Sequence, residues 1–518
     1  EDRDFIRRRS RSSLEGEPEY AFKHALTREV AYAGLPKARR ARLHAAFADW
    51  ILRFGGGRDE HAPLLAHHYA EAIRPEDTDL CWEDAPEELD RLRVQAVTWL
   101  ERAALLAVSR YEIDEALALL HRAIELGPDG QRRAEIWRSI GRANALKYDG
   151  EAFWAAMQNS LQTCRDRRTC ADTYAELAFQ TAARSAMWNR PPDKGLVEGW
   201  VTQALELAEP QSAARVKALI ARTFWDAASA GDAPREASVI AEDIGDVELR
   251  SFAFEARATS LSAGGHFREA CDWAERRLAL LDEISDPDHR AMAYWSSALA
   301  YAGLGRFADA RRLTQQHADV ASRLTPHHCV HAVGFRLTLE ELAGGWPVVR
   351  DLTGDTEHVV AANLATPCVL NPRSLLACAI ACAYLGDEHE SRRLEAAANE
   401  LGMEGYSVMT MGRLRLALAR GDLGTAGHIV EAESAGVHTP VASLMSITTR
   451  LDALAALRDR ARAESEAPRH LVPNTYVEPF ALRALGVVRE DAQLITHAVE
   501  RFDAMQLRWH ADQTRALV

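Results

Sequence analysis

The sequence has no Cys-x-x-Cys pair, no long apolar run and no apolar segment at its charged start. Its eight cysteines are scattered along 518 residues, which is typical of reduced and mostly buried thiols in a cytoplasmic protein. The longest apolar run, near residues 375 to 385, is well short of the ~20 residues that a membrane-spanning helix needs. We therefore expect a cytoplasmic chain with no signal peptide and no membrane partner.

The motifs of common catalytic and nucleotide sites are also missing. The chain has no Gly-x-x-x-x-Gly-Lys-Ser/Thr phosphate loop, no Gly-x-Gly-x-x-Gly, no His-Glu-x-x-His and no Gly-x-Ser-x-Gly. Carboxylates are numerous but dispersed, and their spacing alone nominates no acid–base pair. We expect no catalytic residue and no cofactor in this chain. An enzyme with a site between distant helices is the alternative with the least support.

The net charge of −14 argues against a protein that coats nucleic acid, because such proteins are basic. A cluster of basic residues lies near the start of the chain, at Arg7, Arg8, Arg9, Arg11, Lys37, Arg39, Arg40 and Arg42. Such a cluster can contact phosphate groups, but we favour a solvated or interdomain face. Nucleic acid is therefore not an expected partner.

The abundant Ala, Leu, Glu and Arg favour helix over strand. The helical period is clearest over residues 96–128, where a turn at Arg110-Tyr111 separates two predicted helices and Pro128 ends the second. Small residues let such helices approach closely, and large residues fill the groove beside them. This hairpin resembles the tetratricopeptide (TPR) repeat at Leu100, Ala103, Ala104, Ala107, Ala116, Leu120, Ala123 and Pro128.

A turn pattern recurs further along the chain at intervals of about 40 residues. Its positions are Gly265, Phe267 and Ala270, then Gly305, Phe307 and Ala310, and then Gly345, Gly386 and Gly421. Glycine at these places ends one helix shortly before the next begins. The pattern predicts an all-α fold, a TPR-like, right-handed solenoid of about nine to eleven helical hairpins over residues 90–500. An irregular helical bundle is the alternative.

Residues 1–60 do not follow the hairpin pattern. Residues 1–13 are interpreted as a helix end and a basic loop. Tyr20, Phe22 and His24 alternate as in one short strand. A helix then follows with Ala25, Val30, Ala31 and Leu35 predicted to face inward, and Pro36 begins another helix.

This opening stretch resembles the end of the winged-helix domain in STAND proteins, the signal transduction ATPases with numerous domains. The residues that carry the resemblance are Phe22, His24, Ala25, Leu26, Val30, Ala31, Tyr32, Leu35, Arg40, Leu43 and His44. Residues 64–72, "LLAHHYAEA", resemble the segment that links this domain to the repeats. Residues 501–517, "RFDAMQLRWHADQTRAL", resemble the closing helices of members linked to nucleotide cyclases.

The resemblance implies a domain organisation and a role. It implies the end of a winged helix at 1–60, a helical linker at 61–95, TPR-like repeats at 96–500 and a capping helix at 501–518. An ATPase core that binds ATP and magnesium would precede Glu1, and the effector would be a class III nucleotide cyclase or a helix-turn-helix transcription activator. The repeats would bind a protein partner or a small-molecule effector on their concave face. A standalone TPR scaffold is the alternative, and it leaves the opening stretch unexplained.

Two histidine groups invite a metal interpretation, which we do not favour. His327 and His331 are four residues apart and can share a helix face, but no acidic third ligand lies nearby and Cys329 is expected to point elsewhere. His67 and His68 fit the STAND linker pattern better than a ligand set. The sequence therefore predicts no metal site.

Overall fold

The computed structural model describes residues 5–10, 12, 17–55, 57–74, 76, 78–188, 190–227, 229–403, 405–432 and 440–517. These residues form 28 α-helices and two three-residue strands, so the all-α prediction is confirmed. The chain divides into two compact units. The first comprises Glu1–Lys147 with Ala155–Arg165, and the second comprises Tyr148–Trp154 with Asp166–Val518. The predicted boundaries at 60, 95 and 500 stay predictions.

The first unit contains both strands and the first seven helices. Its elements are β1 (Ile6–Arg8), β2 (Tyr20–Phe22), α1 (Ala25–Ala33), α2 (Lys37–Gly55), a 3₁₀ turn (Asp59–His61), α3 (Ala62–Ala72), α4 (Thr78–Trp82), α5 (Pro86–Ser109), α6 (Ile113–Glu125) and α7 (Gly130–Leu146). Helix α8 (Gly150–Thr163) contributes residues to both units.

The opening segment contains one strand more than predicted. Ile6–Arg8 pairs antiparallel with Tyr20–Phe22, with Ile6 opposite Phe22 and Arg8 opposite Tyr20. The interpretation of this stretch as a helix end and basic loop is therefore wrong at β1. The backbone of β1 pairs with β2, which begins at Tyr20, fourteen residues after Ile6. Arg11 of the predicted basic cluster lies outside the described residues.

The predicted inward face of α1 is also wrong. No residue of this helix is buried, and Ala25, Val30 and Ala31 are exposed. Leu26 and Val30 are 71% and 66% exposed, and Phe22 on β2 is 42% exposed. The amphipathic pattern is present, but within the described part of the chain nothing covers the apolar side of α1.

The TPR-like hairpin of α5 and α6 packs as its small-residue pattern predicts. Leu100, Ala103, Ala104, Ala107, Ala116, Leu120 and Ala123 are all buried. Helix α5 starts at Pro86, and Glu87 and Glu88 in its first turn favour a helix start electrostatically.

The second unit is built from helices alone among its described residues. They are α9 (Arg167–Ala183), α10 (Lys194–Leu207), α11 (Ala213–Trp225), α12 (Ala233–Ile244), α13 (Val247–Ala263), α14 (Phe267–Leu278), α15 (Pro287–Gly303), α16 (Phe307–Ala321), α17 (Pro326–Ala343), α18 (Trp346–Asp351), α19 (Thr353–Ala362), α20 (Leu370–Tyr384), α21 (Glu388–Glu400), α22 (Ser407–Arg420), α23 (Leu423–Glu431), α24 (Pro440–Ala456), α25 (Arg460–Glu466), α26 (Glu478–Arg489), α27 (Ala492–Ala504) and α28 (Arg508–Arg515). Two 3₁₀ turns, Ser185–Met187 and Ala467–His470, lie between them.

The glycine turns separate consecutive helices as predicted, with one shift. Gly305, between α15 and α16, adopts a left-handed conformation at φ 71°. In the pair Gly344-Gly345 the left-handed residue is Gly344, at φ 73°, so the prediction at Gly345 is displaced by one residue. The reason is that Gly344 donates its N–H to the last turn of α17 as the C-terminal cap.

The last helices of the second unit fold back onto its middle helices. The Tyr476 hydroxyl donates to the Leu342 carbonyl at 2.5 Å, and His510 Nε2 lies 3.0 Å from the same oxygen. A single hydrophobic core contains side chains from Phe267 to Ala511. Besides the predicted stacking of neighbouring hairpins, the last helices thus also pack against the middle helices of this unit. The closing segment, predicted as one capping helix, contains the last residues of α27 and the whole of α28.

The cysteines depart from expectation at two positions. Cys164 and Cys170 are disulfide-bonded, so the prediction of reduced thiols is wrong for them. Cys378 and Cys382 lie buried in the core. Among the helices described, none combines the length and apolarity that a bilayer crossing requires.

Candidate functional site

The second unit contains a partly open cavity of about 180 Å³. Its lining comes from α9, α11, α13, α15, α17 and α20, together with residues between or beyond them. Six aromatic side chains contribute to the wall: Tyr148, Phe224, Trp225, Phe252, Trp295 and Phe335. Ala182 and Ala183, the last two residues of α9, also line the cavity, and both are half-buried.

The aromatic wall is held by ring stacking. Trp295 on α15 lies parallel to Phe335 on α17, with ring centroids 4.2 Å apart. His289 stacks on Phe252 at 3.9 Å. All four rings line the cavity, and stacking of this kind favours a fixed arrangement of each pair. The wall therefore suits a planar apolar group.

A buried ion pair lies at the cavity wall. Arg184 Nη2 is 3.1 Å from Asp288 Oδ2, and His328 Nε2 lies 3.2 Å from the other carboxylate oxygen. Burial opposes ionisation of Asp288, but the hydrogen bond with His328 and the charge of Arg184 outweigh burial and lower its pKa. Burial beside this carboxylate raises the pKa of Asp286 to about 6. Asp288 is therefore a paired anion and not a free acid.

The other charged groups at the wall also have charged partners. Arg373 Nη2 donates to Glu341 Oε2 at 2.6 Å, and Arg277 Nη2 lies 2.8 Å from Glu255 Oε2. Burial raises the pKa of Glu255 and lowers the pKa of Arg277, which is the direction expected for charges removed from water. The wall thus carries compensated charges between apolar rings.

Beside the cavity, His327, His331 and Cys368 form a buried cluster. Their ligand-type atoms all lie within 4.8 Å of one another, and Cys368 Sγ is 3.5 Å from His331 Nε2. The Tyr148 ring lies against His327 with centroids 3.7 Å apart. Cys329 contacts the Ser322 carbonyl instead, as the sequence led us to expect. Sequence reasoning missed Cys368, because it lies 37 residues beyond His331.

In the first unit, the structure brings together two residues that carry the winged-helix resemblance, Tyr32 and His44, and His68 of the His-His pair. The Tyr32 hydroxyl is 2.8 Å from His44 Nε2, and His44 Nδ1 is 2.7 Å from His68 Nδ1. Burial and the neighbouring imidazoles lower the pKa of His68 to about 4. Since each N···N hydrogen bond needs one unprotonated nitrogen, at least one of the two rings is neutral.

The other predicted motif residues do not join this group, with one exception. The Arg40 guanidinium lies over the Tyr32 ring, 4.8 Å from its centroid. His24 and Leu43 are exposed, and Leu35 is half-buried. None of the repeat-pattern residues lines the cavity of the second unit. The repeat pattern therefore identified residues that pack between helices. No pattern in the sequence identified the side chains that line the cavity.

No protein-family model and no curated protein sequence matches the chain. Among solved structures, it is similar to aspartyl phosphate phosphatase F from Bacillus subtilis, with 12% identity, 71% of this chain and 95% of that chain covered, and a TM-score of 0.39. It is also similar to the structure of Naa15/Naa10 bound to HypK-THB, with 14% identity, 94% and 78% covered, and a TM-score of 0.20. Function must therefore be argued from the chain's own residues.

Proposed function

We propose that this chain is a non-catalytic regulatory module whose second unit binds a small organic ligand inside its array of helical hairpins. The observation that carries the proposal is the cavity walled by six aromatic side chains. Ligand sites are typically concave and mostly apolar, with a few placed polar groups. The cavity wall matches this description, because Trp295 and Phe335 supply apolar surface and Arg184 supplies a polar group.

The charge pattern narrows the ligand class. Asp288, Arg373 and Glu255, which line the cavity, each have a charged or hydrogen-bonding partner at 2.6 to 3.2 Å. A ligand with a net charge would need to displace one of these partners, and breaking a buried ion pair is costly. A neutral ligand needs no such exchange. We therefore propose a neutral, planar or aromatic compound with one or two hydrogen-bonding groups.

The proposed role extends the STAND resemblance of the opening stretch. In that role, the chain is the sensor part of a signalling ATPase, and the ATPase core and effector lie outside it. Ligand binding would regulate the ATPase only if the ligand has different affinities for two conformations of the protein. We accordingly propose that the purified chain neither binds nor hydrolyses ATP. Turnover by the purified chain would contradict this part.

A standalone protein-binding scaffold is the second candidate, and exposed apolar side chains in the first unit favour it. Phe5, Tyr20, Leu26 and Val30 are 49% to 71% exposed. Exposed apolar surface of this kind is typical of protein contact sites. Replacing Leu26 and Val30 by serine is expected to reduce association with an apolar protein partner while leaving ligand binding by the second unit unchanged.

The ligand proposal is tested by a thermal-shift screen of matched neutral, anionic and cationic aromatic compounds. Neutral compounds are expected to raise the melting temperature most. The Ala182→Trp variant places a large ring at the cavity and is expected to weaken binding, because the ring occupies space that the ligand needs. The Ala361→Trp variant is the matched control, because Ala361 is exposed on α19 and does not line the cavity. Equal binding by both variants would contradict the proposal.

A further inference from the structure

His327, His331 and Cys368 offer two imidazoles and one thiol at a single buried point. His327 and His331 lie one turn apart on α17, and Cys368 precedes α20. Their exposed fractions are 3%, 5% and 0%. The three ligand-type atoms lie within 4.8 Å of one another, so one ion could contact all of them after small side-chain rotations.

The hydrogen bonding of this cluster is incomplete. Neither ring nitrogen of His327 has a hydrogen-bond partner, and Nδ1 of His331 has none either. Buried polar atoms are nearly always satisfied, and an exception calls for a physical reason such as an ion. Simple core packing would be served better by apolar side chains, because they leave no donor or acceptor unpaired.

The donor set selects a class of ion. Neutral imidazole nitrogen and thiolate sulfur are the preferred ligands of Zn²⁺, whereas Mg²⁺ and Ca²⁺ prefer oxygen. Around a tetrahedral zinc ion, with bonds of about 2.0–2.1 Å to nitrogen and 2.3 Å to sulfur, the two donor atoms lie about 3.5 Å apart. Cys368 Sγ and His331 Nε2 are 3.5 Å apart.

We propose that His327, His331 and Cys368 bind one zinc ion. The Cys368 sulfur forms the metal bond as a thiolate, and the proton of its thiol leaves to solvent. His331 also lines the cavity in which we place the organic ligand. The metal site stands on its own geometry and does not depend on that ligand.

The histidine cluster of the first unit provides an internal contrast. His44, His67 and His68 also lie within 4.8 Å of one another. Both ring nitrogens of His44 already have hydrogen-bond partners, in Tyr32 and His68, and the cluster contains no thiol. Any ion held there would lack a metal–sulfur bond, so a spectrum of that bond reports on the second unit alone.

The test is a titration of the chelator-treated full chain with Co²⁺, in the absence of added thiols. Cobalt replaces zinc with the same ligands and is coloured when bound to thiolate in four-coordinate geometry. We expect a thiolate-to-cobalt absorption band that saturates at one ion per chain and disappears when Zn²⁺ is added. Native mass spectrometry of the wild-type chain with Zn²⁺ gives the stoichiometry independently of any variant.

The variants assign the site. Cys368→Ser is expected to abolish the band, and His327→Gln is expected to weaken affinity at least about tenfold, since it removes a direct ligand. Cys329→Ser is the matched control, because Cys329 lies on α17 with His327 and His331 but outside the cluster. This variant should leave the titration unchanged. The far-ultraviolet circular dichroism of each variant verifies its helical fold. Absence of the band from the wild-type chain, or its persistence in Cys368→Ser, would overturn the proposal.

Discussion

Arg184 and Asp288 are 104 residues apart in sequence, and their side chains form a buried ion pair of 3.1 Å at the wall of the cavity. Arg184 follows the last residue of α9, and Asp288 lies in the first turn of α15. Their side chains are only 8% and 2% exposed. The shape of this wall therefore depends on two helices that the chain brings together across several hairpins.

Replacing Arg184 by Met is expected to destabilise the second unit by about 3–5 kcal/mol, because Asp288 would stay buried without its main cationic partner. The measurement is the midpoint of urea unfolding at pH 7. The double variant Arg184→Met/Asp288→Asn is expected to recover part of the loss, since no uncompensated charge then stays buried. Arg235→Ala is the control, because Arg235 lies in an exposed pair with Asp232 and its loss should have no measurable effect. A single variant as stable as the wild type would show that the pair contributes nothing.

The closing helix α28 gives a prediction about pH. Burial, then the charge of Arg483, lowers the pKa of His510 from 6.5 to about 3. Between these values the unfolded chain binds a proton that the folded chain does not, so the free energy of unfolding falls as the pH falls below 6.5. At pH 4 the contribution of one such group is on the order of 3 kcal/mol.

The His510→Gln variant isolates this contribution. It keeps a side-chain donor near the Leu342 carbonyl but removes the titration. We expect the loss of stability between pH 6.5 and 4, measured by urea unfolding, to become less steep. His266→Gln serves as the control, because the His266 side chain is 62% exposed. An unchanged slope in His510→Gln would mean that His510 takes up its proton at the same pH in the folded and the unfolded chain.

Gly305 and Gly386 both have a left-handed backbone, and comparing them distinguishes the cost of backbone strain from the cost of a packing clash. Gly386, at φ 83°, has open space where a Cβ would lie, so Gly386→Ala is expected to cost about 1–2 kcal/mol from strain alone. At Gly305, φ 71°, a Cβ would lie 2.5 Å from Met505 Sδ, so Gly305→Ala should cost about 1–3 kcal/mol more.

A double-mutant cycle with Met505→Ala tests the packing part. The added methyl group of Gly305→Ala is expected to cost less in the Met505→Ala background, because the obstructing sulfur is gone. Differential scanning calorimetry of the four variants gives the comparison. If Gly305→Ala and Gly386→Ala cost the same, the return of α27 onto the middle helices is not as close as described.

A pair of leucines in the first unit tests the exposed face of α1. Leu26 is 71% exposed, and Leu65 on α3 is fully buried. Leu65→Ala is expected to cost about 2–5 kcal/mol. Leu26→Ala should change stability by less than about 0.5 kcal/mol in the same urea experiment. A large cost at Leu26 would show that its side chain is covered in the folded chain.

The sequence was informative wherever the signal was local. The spacing of Ala103, Ala104, Ala116 and Ala123 predicts the α5–α6 hairpin, because side chains three and four residues apart share a helix face. The four-residue spacing of His327 and His331 predicts their shared face for the same reason.

The rest depended on contacts between residues far apart in sequence. Cys368 joins the two histidines from 37 residues beyond, and Arg184 reaches Asp288 across 104 residues. No local period encodes such pairs. The inward face of α1 failed for a different reason, since amphipathicity shows that a face is apolar without showing what covers it.

The most direct test of the proposed function is a crystal structure of the chain with the strongest neutral aromatic compound from the screen. We predict electron density for the compound in the cavity of the second unit, stacked along Trp295 and Phe335 with its polar group toward the Arg184–Asp288 pair. An empty cavity with the compound bound elsewhere on the chain would contradict the assignment of this cavity as the ligand site.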